Sequence, residues 1–97
     1  MRMLLIAELD TEKANEAIRN GSLGKTMEAA LEGIRPEAAY FTSRNGSRTA
    51  FIVFDMEDSS QIPKTAEPFF LEMGAKVEFA PVMNQDDLRK GLQALAR

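Results

Sequence analysis

The order of apolar and polar positions predicts the secondary structure of most of the chain. Residues 2–9 (RMLLIAEL) are apolar on both alternating faces, a pattern typical of a strand that is buried on both sides. Two helical stripes follow, out of phase with each other, and residues 20–22 (NGS) lie at the join. We therefore predict one broken helix that is capped by Asp10 or Thr11 and ends at Gly33.

Residues 38–56 carry the signal of a β-hairpin. Asn45 and Gly46 are the preferred pair for a type I′ turn, because both central positions of that turn need a positive φ. The pair joins two runs of β-favouring residues, so the register of the two strands follows from the turn. The residues predicted to lie opposite each other are Arg44 and Ser47, Thr42 and Thr49, and Tyr40 and Phe51.

Two helices and one strand complete the pattern. Residues 58–74 read as a helix that ends at Gly74, and Pro68 within it should kink or divide the helix. Residues 75–82 (AKVEFAPV) alternate as a strand, and a last helix begins at Asn84 with a leucine stripe. The order β-α-β-β-α-β with a C-terminal helix predicts an α+β, ferredoxin-like fold. Its antiparallel four-stranded sheet would carry helices on one face.

Composition and charge narrow the class of protein. The 97 residues are 44% hydrophobic and 28% charged, as expected for one soluble globular domain that spans residues 1–97. A net charge of −3 does not favour binding to nucleic acid or to an anionic membrane, both of which need clustered lysine and arginine. The apolar run at residues 3–7 is too short for a signal peptide or a membrane span, so a cytoplasmic location is expected.

The chain contains no histidine and no cysteine, which limits its chemistry further. Disulfides, thiol chemistry and a histidine-based triad are excluded, and zinc, copper and haem sites lose their usual ligands. We therefore predict no metal site and no cofactor. The titratable candidates that remain for general acid–base catalysis are aspartate, glutamate and lysine residues and Tyr40.

The letters GSLGKT at residues 21–26 resemble a phosphate-binding loop. That motif needs a strand before it and a glycine five positions before Gly24, where this chain has Arg19 within a predicted helix. Specific nucleotide binding is therefore not expected. One interpretation is a simple helix break, capped by Ser22 and with Lys25 in solvent. The other is a weak anion site at the start of the second helical segment, formed by Ser22, Gly24, Lys25 and Thr26.

One face of the predicted sheet has no helix to cover it. Alternation along the strands places two aromatic rings and three aliphatic side chains on this open face: Leu4, Ile6, Tyr40, Phe51 and Val53. An apolar patch of that size is too large to leave in water on a stable monomer. Because homodimers are the commonest oligomers, we predict a homodimer that packs sheet to sheet.

Polar side chains at one end of the open face are candidate ligand contacts. In the strand order 4-1-3-2, Glu8 and Lys76 lie on neighbouring strands, either as a cross-strand ion pair or with Glu8 as a partly desolvated base. Tyr40 either packs in the interface or donates a hydrogen bond to a ligand. The residues predicted to contact a small-molecule ligand are Glu8, Tyr40, Thr42, Thr49 and Lys76.

The whole chain resembles the dimeric α/β-barrel superfamily, in which two ferredoxin-like subunits pack their sheets together. Residues 35–83 (RPEAAYFTSRNGSRTAFIVFDMEDSSQIPKTAEPFFLEMGAKVEFAPVM) resemble a group of small bacterial proteins without an established activity. The superfamily includes monooxygenases, haem-degrading enzymes, chlorite dismutases and stress proteins, and its ligands are often held between sheet and helices. No histidine is present here, so a catalytic or haem-binding histidine does not carry over.

Two hypotheses about function follow from the residues and the resemblance together. The first is a homodimer that binds a small, largely apolar molecule in an α/β-barrel pocket, either as a binding protein or as a cofactor-free enzyme. The alternative is a non-catalytic interaction or regulatory dimer. A closed pocket with convergent polar groups would favour the first hypothesis, and a fully packed interior would favour the second.

Overall fold

The computed structural model describes residues 1–96, and its strands pair in one antiparallel sheet with the spatial order β2-β3-β1-β4. The elements are, in chain order, β1 (Arg2–Glu8), α1 (Thr11–Arg19), α2 (Leu23–Ile34), β2 (Ala38–Arg44), β3 (Ser47–Asp55), a 3₁₀ turn (Ser59–Gln61), α3 (Ile62–Met73), β4 (Lys76–Pro81) and α4 (Gln85–Gln93). The predicted α+β fold with an antiparallel four-stranded sheet and a C-terminal helix is therefore confirmed.

The hairpin between β2 and β3 has the predicted turn and register. Asn45 has a φ of 55° and Gly46 a φ of 76°, the two positive values that a type I′ turn requires. Thr42 pairs with Thr49, and Tyr40 pairs with Phe51 across the two strands. The turn chemistry of two residues thus fixes which side chains of β2 and β3 share a face.

The predicted broken helix is two separate helices, and its end differs from the prediction. Asp10 caps α1 by accepting a hydrogen bond from the N–H of Lys13 at 2.9 Å. Gly33 does not end α2, which continues to Ile34 and is followed by Arg35 in the left-handed conformation, with a φ of 54°. Pro36 explains this end, because a proline disfavours the helical conformation of the residue before it.

α3 runs without a break from Ile62 to Met73, so the predicted division at Pro68 is wrong. A proline within a helix removes one backbone hydrogen bond, and here the buried side chains of Phe69 and Met73 fix the segment that follows it. The predicted end of the helix is confirmed at Gly74, which has a φ of 57° and donates its N–H to the carbonyl oxygen of Phe70 at 3.1 Å.

The hydrophobic core lies between one face of the sheet and the helices α1, α2 and α3. Every second residue of β1 points into it, and Leu5 and Ile52 are fully buried there together with Phe69 of α3. The rings of Phe54 and Phe79 meet edge to face, with centroids 6.3 Å apart. This helix-covered face is closed by the chain's own helices, and the opposite face of the sheet is open.

α4 stands apart from this core. Asn84 and Asp87 form a reciprocal capping box at its start, so the predicted cap at Asn84 is confirmed, yet no residue of α4 is buried. The described chain measures 59 × 27 × 17 Å and has a radius of gyration of 15.5 Å, against about 13 Å for a compact domain of this length. None of the helices within residues 1–96 is long and apolar enough to cross a membrane.

Candidate functional site

The strand register arranges the side chains of the open face in rows that cross the sheet. Glu8 of β1 lies between Thr49 of β3 and Lys76 of β4, and Thr42 of β2 lies opposite Thr49. Four of the five predicted ligand contacts therefore share one row, and Tyr40 lies in the next row of the same face. Sequence alternation and the hairpin turn were sufficient to bring these residues together.

The side chains of this row do not form a connected polar site. Thr49 is only 3% exposed, and its hydroxyl donates to the carbonyl oxygen of Ser47 at 3.1 Å. Glu8 and Lys76 lie opposite each other, but no ion pair within 4.0 Å joins them in the described part of the chain. The hollow beside Glu8 and Lys76 has a volume of about 150 Å³, below the roughly 300 Å³ at which ligand pockets begin.

The middle of the open face is apolar. Tyr40 is 68% exposed, and the four other apolar residues predicted for this face, Leu4, Ile6, Phe51 and Val53, are half-buried. The guanidinium carbon of Arg44 lies 5.8 Å from the centre of the Phe51 ring, at the distance of a cation–π contact. Arg44 therefore covers part of this ring in the single subunit, and the rest of the patch faces solvent.

The four residues of the predicted anion site lie at the start of α2. Ser22 occupies the cap position, but its side chain forms no capping hydrogen bond, so the interpretation of Ser22 as a side-chain cap is wrong. The physical reason is its backbone, which is helical rather than extended, with a φ of −92° and a ψ of −16°. Its N–H already donates to the side-chain oxygen of Asn20 at 2.9 Å, and Lys25 is exposed.

A larger cleft lies on the helix-covered side, where α2 passes over the β2–β3 edge of the sheet. Its volume is about 630 Å³, in the range of small-molecule sites. The residue at its outer wall, Phe41 of β2, is 56% exposed because no helix covers it completely. The apolar lining comes from the residue that follows β1 and from α2, β2 and β3: Leu9, Leu23, Met27, Leu31, Phe41 and Ala50.

A few polar groups border this apolar cleft. Arg48 of β3 and Glu28 of α2 supply charged groups. Thr42 and Thr49 also line the cleft, but strand alternation places their side chains on the open face, and the Thr49 hydroxyl donates to the carbonyl oxygen of Ser47. One terminal nitrogen of Arg48 donates to the side-chain oxygen of Asn15 at 2.9 Å, which fixes the guanidinium between β3 and α1. A guanidinium carries five N–H donors, so others are available to a polar atom of a bound molecule.

The sequence pattern indicates that several cleft residues face the core, but it does not indicate a cleft. Leu23, Met27 and Leu31 recur at helical spacing on one side of α2, and Phe41 alternates with Tyr40 of the open face. Gly24 is the one sequence signal for the cleft, because this residue of α2 lines the cleft and has no side chain to fill it. The sequence pattern does not give the distance between α2 and the edge of the sheet, which decides whether such a stripe packs closely.

Comparison with known proteins gives a family without an assigned activity. A family described as "Domain of unknown function (DUF3303)" matches residues 1–96, so the chain belongs to that family. Among curated proteins, no match to the chain was found.

Proposed function

We propose that this member of a family of unknown function is a homodimer that binds a small, largely apolar molecule in the cleft between α2 and the β2–β3 edge. The observation that carries the proposal is the cleft itself, with a volume of about 630 Å³ and an almost wholly apolar lining. Burial of an apolar ligand surface against such a lining is favourable by about 25 cal/mol for each Å² removed from water.

The polar groups of the cleft favour a ligand that has one polar end. Arg48 is held by Asn15, so its remaining N–H groups keep a fixed direction at the border of the cleft. A few fixed polar groups in an apolar site orient a ligand, while the apolar walls supply most of the binding free energy. The ligand class that fits is an apolar body with a single acceptor or anionic group.

The open face supports the homodimer. Its five apolar residues form a contiguous patch in neighbouring rows of the sheet, bordered by charged residues such as Glu78 and Lys76. Monomeric proteins rarely leave a patch of this kind in water. In the proposed dimer, Glu8, Lys76 and Tyr40 lie at or beside the shared surface, whereas the cleft lies on the other side of the sheet.

The alternative, a dimer that serves only interactions with other molecules, has one observation in its favour. α4 carries an exposed leucine stripe that the cleft hypothesis does not use. The two functions differ in what they require of the cleft, because only a binding protein needs its volume to stay open.

The test uses a substitution in α2 that places a side chain in the cleft. Gly24 and Gly33 both lie in this helix, and an added Cβ meets no atom within 4 Å at either position, but only Gly24 lines the cleft. The probe is 1-anilinonaphthalene-8-sulfonate, an apolar dye with one anionic group, titrated by fluorescence. Gly24→Leu should raise its Kd about tenfold, a loss of about 1.4 kcal/mol, and Gly33→Leu should leave the Kd unchanged.

Both substitutions place a helix-favouring residue in α2, so each should raise the free energy of unfolding by up to about 1 kcal/mol. A selective loss of dye binding in a protein of undiminished stability would support the cleft as the site. Equal dye affinity in Gly24→Leu, Gly33→Leu and the unaltered chain would refute the proposal.

A further inference from the structure

α4 is an amphipathic helix whose apolar side has no partner in its own subunit. The leucine stripe consists of Leu88 and Leu92, which lie four residues apart on one side of the helix, and of Leu95, in the turn that follows Gln93. They are 46%, 56% and 75% exposed, respectively. α3 has the same kind of stripe but buries Phe69 and Met73 completely or nearly so.

The start of α4 lies beside the open face. Asp87 in its first turn accepts a hydrogen bond from Arg2 at 3.2 Å, and Arg2 also donates to Glu37 at 2.9 Å. Arg2 shares the side of β1 that carries Leu4 and Ile6, because successive residues of a strand alternate between faces. α4 therefore leaves the sheet at the border of the open face, away from the cleft and the core.

The area of the open face is small for a stable dimer. Four strands about 4.8 Å apart, paired over six or seven residues at about 3.4 Å each, form a plane of roughly 400 Å². A stable interface buries about 800 Å² on each partner. The flat area of the sheet face is about half of this value, so a second contact surface would bring the interface closer to the standard size.

We infer that α4 is an arm that packs its leucine stripe against the second copy of the chain. The inference rests on the proposed homodimer and adds a second contact to the sheet-to-sheet surface. In a two-fold dimer each subunit both gives and receives an arm, so each dimer contains two copies of the arm contact. The ion pair between Arg2 and Asp87 holds the start of the arm where a subunit packed on the open face would meet it.

The chain has no cysteine, which allows the arm to be probed with a single introduced thiol. Leu92→Cys places the thiol in the stripe and leaves Leu88 and Leu95 in place. Lys90→Cys, the matched control, places it on the opposite side of the same helix. The rate of alkylation by a maleimide is measured over a range of protein concentrations, and sedimentation velocity gives the oligomeric state of the same samples.

The inference predicts that the thiol of Leu92→Cys reacts at least about tenfold more slowly in the dimer than after dilution to monomer, because reaction then requires the arm to open. The thiol of Lys90→Cys should react at nearly the same rate at both concentrations. Protection that does not depend on concentration would mean that α4 folds back on its own subunit, and would overturn the inference.

The outcomes also separate the arm from the dimer. A dimer by sedimentation with an unprotected thiol in Leu92→Cys would refute the arm alone and leave the sheet-to-sheet dimer standing. A monomer of the unaltered chain at every concentration would refute the proposed dimer and the arm together.

Discussion

The two faces of the sheet use the same strands but reach different degrees of burial. On β1, Leu5 is fully buried against the helices, whereas its neighbours Leu4 and Ile6, on the open face, are only half-buried. The difference comes from the helices, because α1, α2 and α3 all pack on one side and α4 packs on neither. β1 therefore carries more apolar surface than one subunit buries.

The largest expected effect lies on the helix-covered face. Leu5→Ala should lower the free energy of unfolding by about 2–5 kcal/mol, because it removes a fully buried side chain and leaves a cavity. Urea denaturation monitored by circular dichroism measures this loss. The matched control is Leu4→Ala, the same substitution one residue earlier and on the other face.

The effect of the control substitution on the free energy of unfolding should depend on the protein concentration. Leu4→Ala should lower the free energy of unfolding less than Leu5→Ala does in dilute protein. Its cost should increase at concentrations where the proposed dimer would form, since a partner would then bury Leu4. A cost for Leu4→Ala that equals that of Leu5→Ala at every concentration would contradict the difference between the two faces.

The second prediction concerns the apolar patch of the open face. Phe51→Glu places a charge at the centre of the apolar patch, and we expect the Kd of the proposed dimer to rise at least about 100-fold, because two carboxylates would have to leave water in each dimer. Phe70→Glu on the exposed side of α3 is the matched control and should leave the Kd unchanged. Light scattering over a dilution series distinguishes the two variants.

A result in which Phe70→Glu dissociates the dimer and Phe51→Glu does not would assign the interface to the helix layer. The account of the open face would then be wrong, although the fold and the cleft would be unaffected.

The smallest effect is expected at the polar end of the open face. Glu8→Gln should change the free energy of unfolding by no more than about 0.5 kcal/mol, because Glu8 forms no ion pair with the opposite Lys76 in the described structure. Thermal denaturation of the two proteins at the same concentration provides the measurement. A loss above about 1.5 kcal/mol would show that Glu8 forms a stabilising interaction in solution that the structure does not contain.

Much of the fold could be predicted from the sequence because local chemistry determines it. Asn45 and Gly46 set the hairpin register, and Asp10, Asn84 and Gly74 mark helix ends through caps and a positive φ. The errors arose where the context of a residue outweighs its type. Gly33 remains within α2 since the stop comes from the residue before Pro36, and the buried residues after Pro68 keep α3 in one piece.

The candidate site was less predictable than the fold. Alternation and pairing brought Glu8, Thr42, Thr49 and Lys76 into one row, as expected. The larger cleft depends on how far α2 sits from the edge of the sheet, a tertiary distance that no local pattern encodes. The exposure of Phe41 and the gap beside Gly24 become visible only when these elements are packed together.

Sedimentation equilibrium of the unaltered chain at micromolar concentration tests the central claim, that a second copy covers the open face. The account predicts a mass of twice the 10.8 kDa of one chain, from an interface that buries more than about 1,200 Å² in total. A single species of 10.8 kDa across the micromolar range would contradict it, since the apolar patch and the leucine stripe would then both be stable in water.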